Sequence, residues 1–498
     1  MRLPFPVRIP IPIAMAGAAL LVAVQQVEGT PLEFSILTCI YILLACLAFN
    51  FAGGFSRPSG GYVFFYATLV VIVGLVLKAY LGEPADLHLQ TPIRTMRAET
   101  AAMLAMLIAV LISKRLTTKK AILAPMLKEK DERNASVGAF VIGLILYMIM
   151  QVTTQSTGSV LTALAQLNRF LPLSVVLATL YAHRQTGGAR TYNKLVFLTV
   201  GVSTLFGVFA IGKEGMFTPI TCWVLASAST RCRLRWSELA VLGVFAALAI
   251  GYLVPYSQYG RSQVTPEMSI PQRIQMELGL LTHLQDLRRS YANESVEAYA
   301  SGASVGYYNN PQGIGDRTTM LFIDDQLIHQ TELTGTIGYT NLYLSVLNWV
   351  PHALWPTKPM PGGGNAYAHE IGGILPEEDD STGISFSATS EAYHMGGWQG
   401  IFLAAPAVWI VLFTVFDSLC GDTRRSPWGL LIIAYFAHQA PEGMLGGAIY
   451  AIWYVSVGII FTAAVTAYVL PIVGTLAVGA EKAGQVSHRR LLATRRAL

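Results

Sequence analysis

The chain has 498 residues, 53% of them hydrophobic and 13% charged, with a net charge of +5. A soluble domain carries roughly a quarter charged residues, so this composition excludes a disordered chain, a disulfide-stapled mini-scaffold and a nucleic-acid binder. An apolar excess spread over the whole length points to repeated membrane crossing.

A crossing takes about 20 apolar residues of helix. Such runs fall near 10–26, 34–52, 62–81, 98–112, 136–154, 168–182, 195–211, 216–229 and 238–255, then near 398–418, 427–441 and 446–470. The sixth, eighth and eleventh are short. The pattern predicts an all-α polytopic membrane protein of about twelve spans: a nine-helix membrane part over 1–255, a large external loop region over 256–397, three further spans over 398–470 and a basic tail over 471–498.

Charge placement gives the orientation. With both termini in the cytoplasm, the inner segments collect 23 of the 34 Lys and Arg residues, as cytoplasmic loops do. Arg2 and Arg8 precede an apolar run without a small-residue cleavage site, which reads as an uncleaved signal-anchor. Cys39, Cys46, Cys222, Cys232 and Cys420 fall in spans or on the inner side, so no disulfide framework is expected.

The external segment, from about Tyr256 to Trp398, holds 15 acidic residues against six basic ones. Ile270, Ile274, Leu278, Leu281, Leu284 and Leu287 recur at helical spacing behind Pro271 and predict an amphipathic helix. A second helix is predicted over Thr318–Leu333 and a third over Asn341–Val350, followed by a Pro- and Gly-rich loop to Thr382. Helices against the membrane surface joined by ordered loops suit a lid over a cavity.

Several residues in this frame can carry chemistry. Lys213 and Glu214 break an apolar stretch at the outer end of the hairpin between spans seven and eight. Ionisable groups at such depth are costly and face a cavity when they are not reaching the headgroups; both roles fit this pair. Arg169 opens span six on the same side and reads as an interface anchor. Arg261 follows span nine, where its guanidinium either snorkels or forks a phosphate.

In Trp349-Val350-Pro351-His352-Ala353-Leu354-Trp355-Pro356-Thr357-Lys358-Pro359 the prolines fix an extended backbone, with Trp355 offering a flat face to a sugar and Lys358 a cation beside it. By physics alone this is equally a rigid turn. Glu391, in Ser390-Glu391-Ala392-Tyr393-His394-Met395-Gly396-Gly397, lies just before span ten. A buried carboxylate there serves as a base or as an ion-pair partner. His369 with Glu370, and the acidic run from Glu377 to Asp380, lack metal-ligand spacing, so no metal is expected; no GxxxxGK[ST] loop is present.

Tyr339 through Pro359 with its Trp-Pro-x-Lys-Pro core, then Gly383-x-Ser-x-Ser, Glu391-x-Tyr393 and Gly396-Gly397 entering a span, resembles the Wzy-type O-antigen polymerases (oligosaccharide repeat-unit polymerases). The chain has Pro351-His352 where members commonly have Pro-Arg, and Gly212-Lys213 where they have Ser-Arg. The resemblance implies a bacterial inner-membrane glycosyltransferase of GT-C-like architecture. Its substrates would be glycans on undecaprenyl pyrophosphate, with no cofactor, nucleotide sugar or metal, and its partner a chain-length regulator protein. In that mechanism Lys213, Arg261 and Arg317 hold the pyrophosphate and Trp355, Lys358 and Tyr393 position sugar. Glu391, or alternatively His352 or His369, is the general base.

A ligase moving finished glycan to another acceptor shares these features. A polysaccharide or lipid transporter instead requires charges deep in several spans and broken helices in matching halves; the first nine spans read as almost free of buried charge.

Overall fold

The computed structural model describes residues 2–127, 131–152, 168–263, 268, 270–300, 306–313, 315–352, 354–372, 374–375, 377–379 and 382–479. Helices dominate, and no strand occurs among the described residues. The first part of the chain forms α1 (Ile11–Val27), α2 (Leu32–Ala52), α3 (Pro58–Leu81), α4 (Pro92–Leu116), α5 (Glu132–Val152), α6 (Phe170–Gln185), α7 (Lys194–Phe209), α8 (Lys213–Ser229) and α9 (Trp236–Arg261). The middle carries α10 (Ile270–Thr282), α11 (Leu284–Ala300), α12 (Leu321–Thr334), α13 (Thr340–Leu347) and α14 (Gly364–Ile371). The chain closes with α15 (Ala388–Cys420), α16 (Pro427–Glu442), α17 (Met444–Tyr468) and α18 (Leu470–Gly479).

Each predicted span falls on a helix, and seven of these helices, α2, α3, α4, α5, α9, α15 and α17, are long and apolar enough to cross a membrane. The chain is a polytopic membrane protein by that measure. Apolar side chains point outward as well as inward, Leu20, Val76, Phe197, Val241 and Leu403 among them, as expected where lipid is the solvent.

The middle segment differs from its prediction in three places. The amphipathic helix is two helices that break at His283, whose N–H bonds the Leu280 carbonyl as a turn. The Pro- and Gly-rich loop contains α14, whose first residue packs so closely on the Ile384 carbonyl that only glycine fits. The tail begins with the apolar helix α18.

One end of the bundle gathers the basic connections. Leu3 N–H bonds Cys232 O (3.3 Å), Phe55 N–H bonds Pro6 O (3.0 Å), Thr423 N–H bonds Ser56 O (3.1 Å) and Ile122 N–H bonds Ser418 O (3.0 Å). Asp417 accepts from Ser59 N–H (3.0 Å) and Ser59 Oγ (2.7 Å), fixing the start of α3. The five cysteines are unpaired.

The opposite end carries the middle segment. Lys78 and Glu83 form a buried pair at 2.8 Å, with the ammonium 4.8 Å from the Tyr307 ring centroid. Glu83 also accepts the Asn309 N–H, and Tyr307 donates to Ala85 O at 2.6 Å. Asp325 of α12 accepts from the Gln90 and Thr91 amides and from Thr95 Oγ1 (2.6 Å). It satisfies the orphan donors at the start of α4, which opens with Pro92. These contacts correct the expectation of spans nearly free of buried charge: Lys78 and Glu99 are both fully buried. Their sequence neighbours are apolar or small, so nothing local announces the distant partners.

Breaking the Lys78–Glu83 pair strands a buried carboxylate, a change that costs about 3–5 kcal/mol. Lys78→Met is expected to lower the unfolding temperature of the detergent-solubilised protein strongly. Adding Glu83→Gln is expected to restore part of the loss, measured in the same thermal scans.

Candidate functional site

The start of α15 is a buried polar turn. Ser387 caps the helix, its Oγ accepting from Thr389 N–H (3.1 Å) and Ser390 N–H (3.4 Å). One turn in, Glu391 is almost fully buried (4% exposed) and points to the start of α17. Its Oε2 accepts the amides of Leu445 and Gly446, and its Oε1 takes the Tyr367 hydroxyl at 3.4 Å. Two amides at a helix start hold a carboxylate firmly, and the weaker bond leaves Oε1 with acceptor capacity.

Glu391 lines a cavity of about 150 Å³ together with Ser345, Trp349, Gly362, Tyr450 and Tyr454. Its aromatic walls are braced. Trp349 stacks on Trp453 (5.6 Å, 19°) and donates to Ile449 O (3.0 Å), while Tyr450 and Tyr454 stack at 4.9 Å. Tyr367 hangs from Asn341 Nδ2 at 2.9 Å. Burial, and next the Glu391 carboxylate beside it, push the Tyr367 phenol up, so it remains a hydrogen-bond donor.

The cations form a second group around the turn between α7 and α8. Arg261 Nε donates to Ile211 O (3.3 Å), two residues before Lys213, and Arg273 reaches Phe209 O at 3.5 Å. Arg169, at the start of α6, places its guanidinium 5.1 Å from the Tyr435 ring and shares a small cleft of about 20 Å³ with Glu214. The Arg169–Glu214 cleft is also lined by Val455 and Ile459 of α17, the helix whose Tyr450 and Tyr454 line the Glu391 cavity. The two groups therefore adjoin the same helix.

Not all predicted residues join them. Lys358 is buried, and its Nζ donates to the carbonyls of Asn348 (3.0 Å) and Val350 (2.7 Å). It ties down the end of α13 behind the cavity wall, and burial pulls its ammonium pKa down. Trp355 is 38% exposed on the outer turn, and His352 is half-buried in that turn. Tyr393 faces away from the cavity: its hydroxyl donates to Glu332, which pairs with Arg94 at 3.2 Å, and its ring meets Trp398 edge-on. His369 bonds Asp379 O at 3.0 Å, while Glu370 is held by His394 at 3.1 Å. Arg317 ends the short turn Gly315–Arg317; its side chain lies outside the described residues, as does Asp380. No group of three His, Cys, Asp or Glu residues arranged for a metal occurs among the described residues.

Reading the sequence alone passed over Tyr367, Tyr450, Tyr454 and the cavity role of Trp349. The Tyr450/Tyr454 pair at i, i+4 was the available signal, because it puts two aromatics on one helix face. Comparison with protein-family models, with curated proteins and with solved structures finds no match to this chain.

Lys358→Met removes two donors from buried carbonyls and is expected to cost about 1–3 kcal/mol. Thermal unfolding should show the drop whether or not a sugar is present. A Lys358 that served only to contact substrate would leave the unfolding temperature unchanged.

Proposed function

We propose that the protein is a Wzy-type polymerase of polysaccharide repeat units. It spans a bacterial inner membrane with about twelve helices in a GT-C-like arrangement, both termini in the cytoplasm and the middle segment in the periplasm. The observation that carries this reading is Glu391, a buried carboxylate with one under-used oxygen, lining an aromatic-walled cavity of about 150 Å³ beside a cluster of cations. The gathering of basic connections at the opposite end supports the orientation.

In this reading one glycan chain arrives on undecaprenyl pyrophosphate and is transferred to the non-reducing end of a lipid-linked repeat unit. Lys213 and Arg261, with Arg169 beside them, hold the diphosphate and stabilise the charge that develops as it leaves. The Trp349, Tyr450 and Tyr454 faces take the acceptor sugar, since flat aromatic rings stack on the apolar faces of pyranoses. Glu391 Oε1 accepts the proton of the attacking hydroxyl. Oε2 stays on the α17 amides, so the base is positioned without a metal or cofactor. A chain-length regulator is the protein partner this reaction calls for.

Glu391→Gln keeps an acceptor for the Leu445 and Gly446 amides but removes the base. With a lipid-linked repeat unit as substrate and purified protein in vesicles, extension is expected to fall about 10²–10⁴-fold with unchanged unfolding temperature. Arg261→Ala is expected to abolish long products while membrane insertion stays normal. Full activity in both variants would remove the mechanism; transfer only to a non-repeat acceptor would make the enzyme a ligase.

A further inference from the structure

At the end that gathers the basic connections, α5, α6, α7 and α18 frame a cavity of about 710 Å³. Its chemistry is ordered by depth. Arg133 near the start of α5, Lys194 at the start of α7, and Tyr181, Gln185 and Asn193 around the turn between α6 and α7 supply the polar part. One turn deeper the lining is apolar. Val137 and Phe140 follow Arg133 by four and seven residues, and Leu198 follows Lys194 by four, so each stands on its helix face below the cation. The apolar helix α18 closes one side and is fixed there. Gly138 and Gly474 leave no room for a Cβ against the Leu470 and Asn134 carbonyls, and Asn134 Nδ2 donates to Thr475 Oγ1 at 3.0 Å.

The two cations are not neutralised within the protein. Among the described residues no carboxylate comes within 4.0 Å of either, and the cavity lining holds no Asp or Glu. Glu132, next to Arg133 in the chain, turns instead to Arg184 at 3.0 Å. Lys194 opens a helix without an acid in its first turn, so the positive end of the dipole adds to the charge. The neutral groups are only partly used: Gln185 Oε1 accepts from Asn193 Nδ2 at 3.3 Å, which leaves the Gln185 amide nitrogen as a donor. Along the apolar face, Ile145 stands one further turn beyond Val141 and is 52% exposed, as Leu198 is 50% exposed on α7. The wall therefore runs out of the cavity onto the surface that meets lipid.

We propose that this cavity binds an anionic glycerophospholipid with a hydroxylated headgroup, its phosphate between Arg133 and Lys194 and one acyl chain along Val137, Phe140 and Leu198. Basic pockets between membrane helices hold anionic headgroups in this way. A zwitterionic lipid fits less well, because no carboxylate lines the site to take its ammonium. A soluble anion leaves the apolar half of the cavity unfilled. Tyr181, Gln185 and Asn193 suit the hydroxyls of a glycerol headgroup, being neutral and able to donate or accept. Bound there, the lipid bridges α5, α7 and α18. The site lies at the end of the bundle opposite Glu391, and the inference does not rest on the reaction proposed above.

Native mass spectra of the purified full-length protein, given equal amounts of phosphatidylglycerol and phosphatidylcholine with the same chains, test this. Two basic side chains acting on one membrane anion give a preference of roughly 30-fold for phosphatidylglycerol. Arg133→Gln/Lys194→Gln is expected to bring the two lipids close to parity. Arg115→Gln/Lys119→Gln, which removes two exposed cations of the same end that do not line the cavity, is expected to keep the preference. In thermal scans phosphatidylglycerol should stabilise the wild type more than phosphatidylcholine does, and glycerol 1-phosphate, which has the headgroup charge but no chain, should have little effect. Equal retention of both lipids by the wild type, which needs no variant to fold, would overturn the proposal. So would a preference lost as fully in the control variant as in the cavity variant, which would mark a diffuse surface effect. Stabilisation by glycerol 1-phosphate as large as by the lipid would make this a site for a soluble anion and overturn it too.

Discussion

Five residues at the start of α15, Ser387 to Glu391, carry the contacts on which the outer end of the molecule depends. Asp324 holds the Ser387 amide and the Ser390 hydroxyl, Glu99 takes the Thr389 hydroxyl, and Glu391 takes the first amides of α17. One helical turn thus docks α4, α12 and α17 at once. Every one of these bonds is buried, so the alternative to making them is a carboxylate or amide stranded away from water, at several times the cost of an ordinary hydrogen bond. That asymmetry makes the arrangement specific: α12 sits where both Asp324 and Asp325 find donors.

The same turn sets the geometry of the cavity. Below it α15 kinks, with Gly397 in the left-handed region at φ 58°, a conformation that glycine adopts without the strain a Cβ would bring. The kink lets the polar first turns lean toward α17 while one face of the apolar remainder, with Ile401, Trp409 and Phe413, packs inside the bundle. Glu391 is held by amides from α17 and a phenol from the α14 region, so the carboxylate, the Tyr450/Tyr454 stack and Trp349 form one braced unit. The cations stand on different elements, α6, α8 and α9, with the Arg169 cleft against Val455 and Ile459 of α17. A site divided in this way can respond to movement between two helix groups without disturbing its carboxylate.

Much of the architecture was legible in the sequence because the signals were local or periodic. Apolar runs located the helices, and clustered Lys and Arg separated the two ends. Trp349 of the Pro-Trp element and Glu391, close to span ten, come together as walls of one cavity. What stayed hidden depended on partners far along the chain. Lys358 reads in the sequence as a cation beside Trp355; its partners, two carbonyls at the end of α13, emerge only when the turn after Pro351 folds back. Tyr393 lies two residues from Glu391, and at 100° per residue that spacing turns it toward α12 instead of the cavity. Glu99 has apolar or small neighbours on either side, and its polar contact, Thr389 of α15, lies far along the chain.

Four of the buried acids, Glu99 on α4, Asp324 and Asp325 on α12 and Glu391 on α15, show why residue type alone does not assign a role. Asp325 is fully occupied by amides and hydroxyls at the head of α4, so its chemistry ends with capping. Asp324 is half occupied, by donors that favour its charge. Glu99 is occupied least, and no cation balances it among the described residues. Glu391 combines a firmly held oxygen with one that a single weak bond leaves open to a cavity. Only this last arrangement joins fixed geometry to room for another molecule, which is what a general base requires. How many donors each carboxyl finds, and whether space remains beside it, thus separates an acid that only anchors backbone from one that adjoins a cavity.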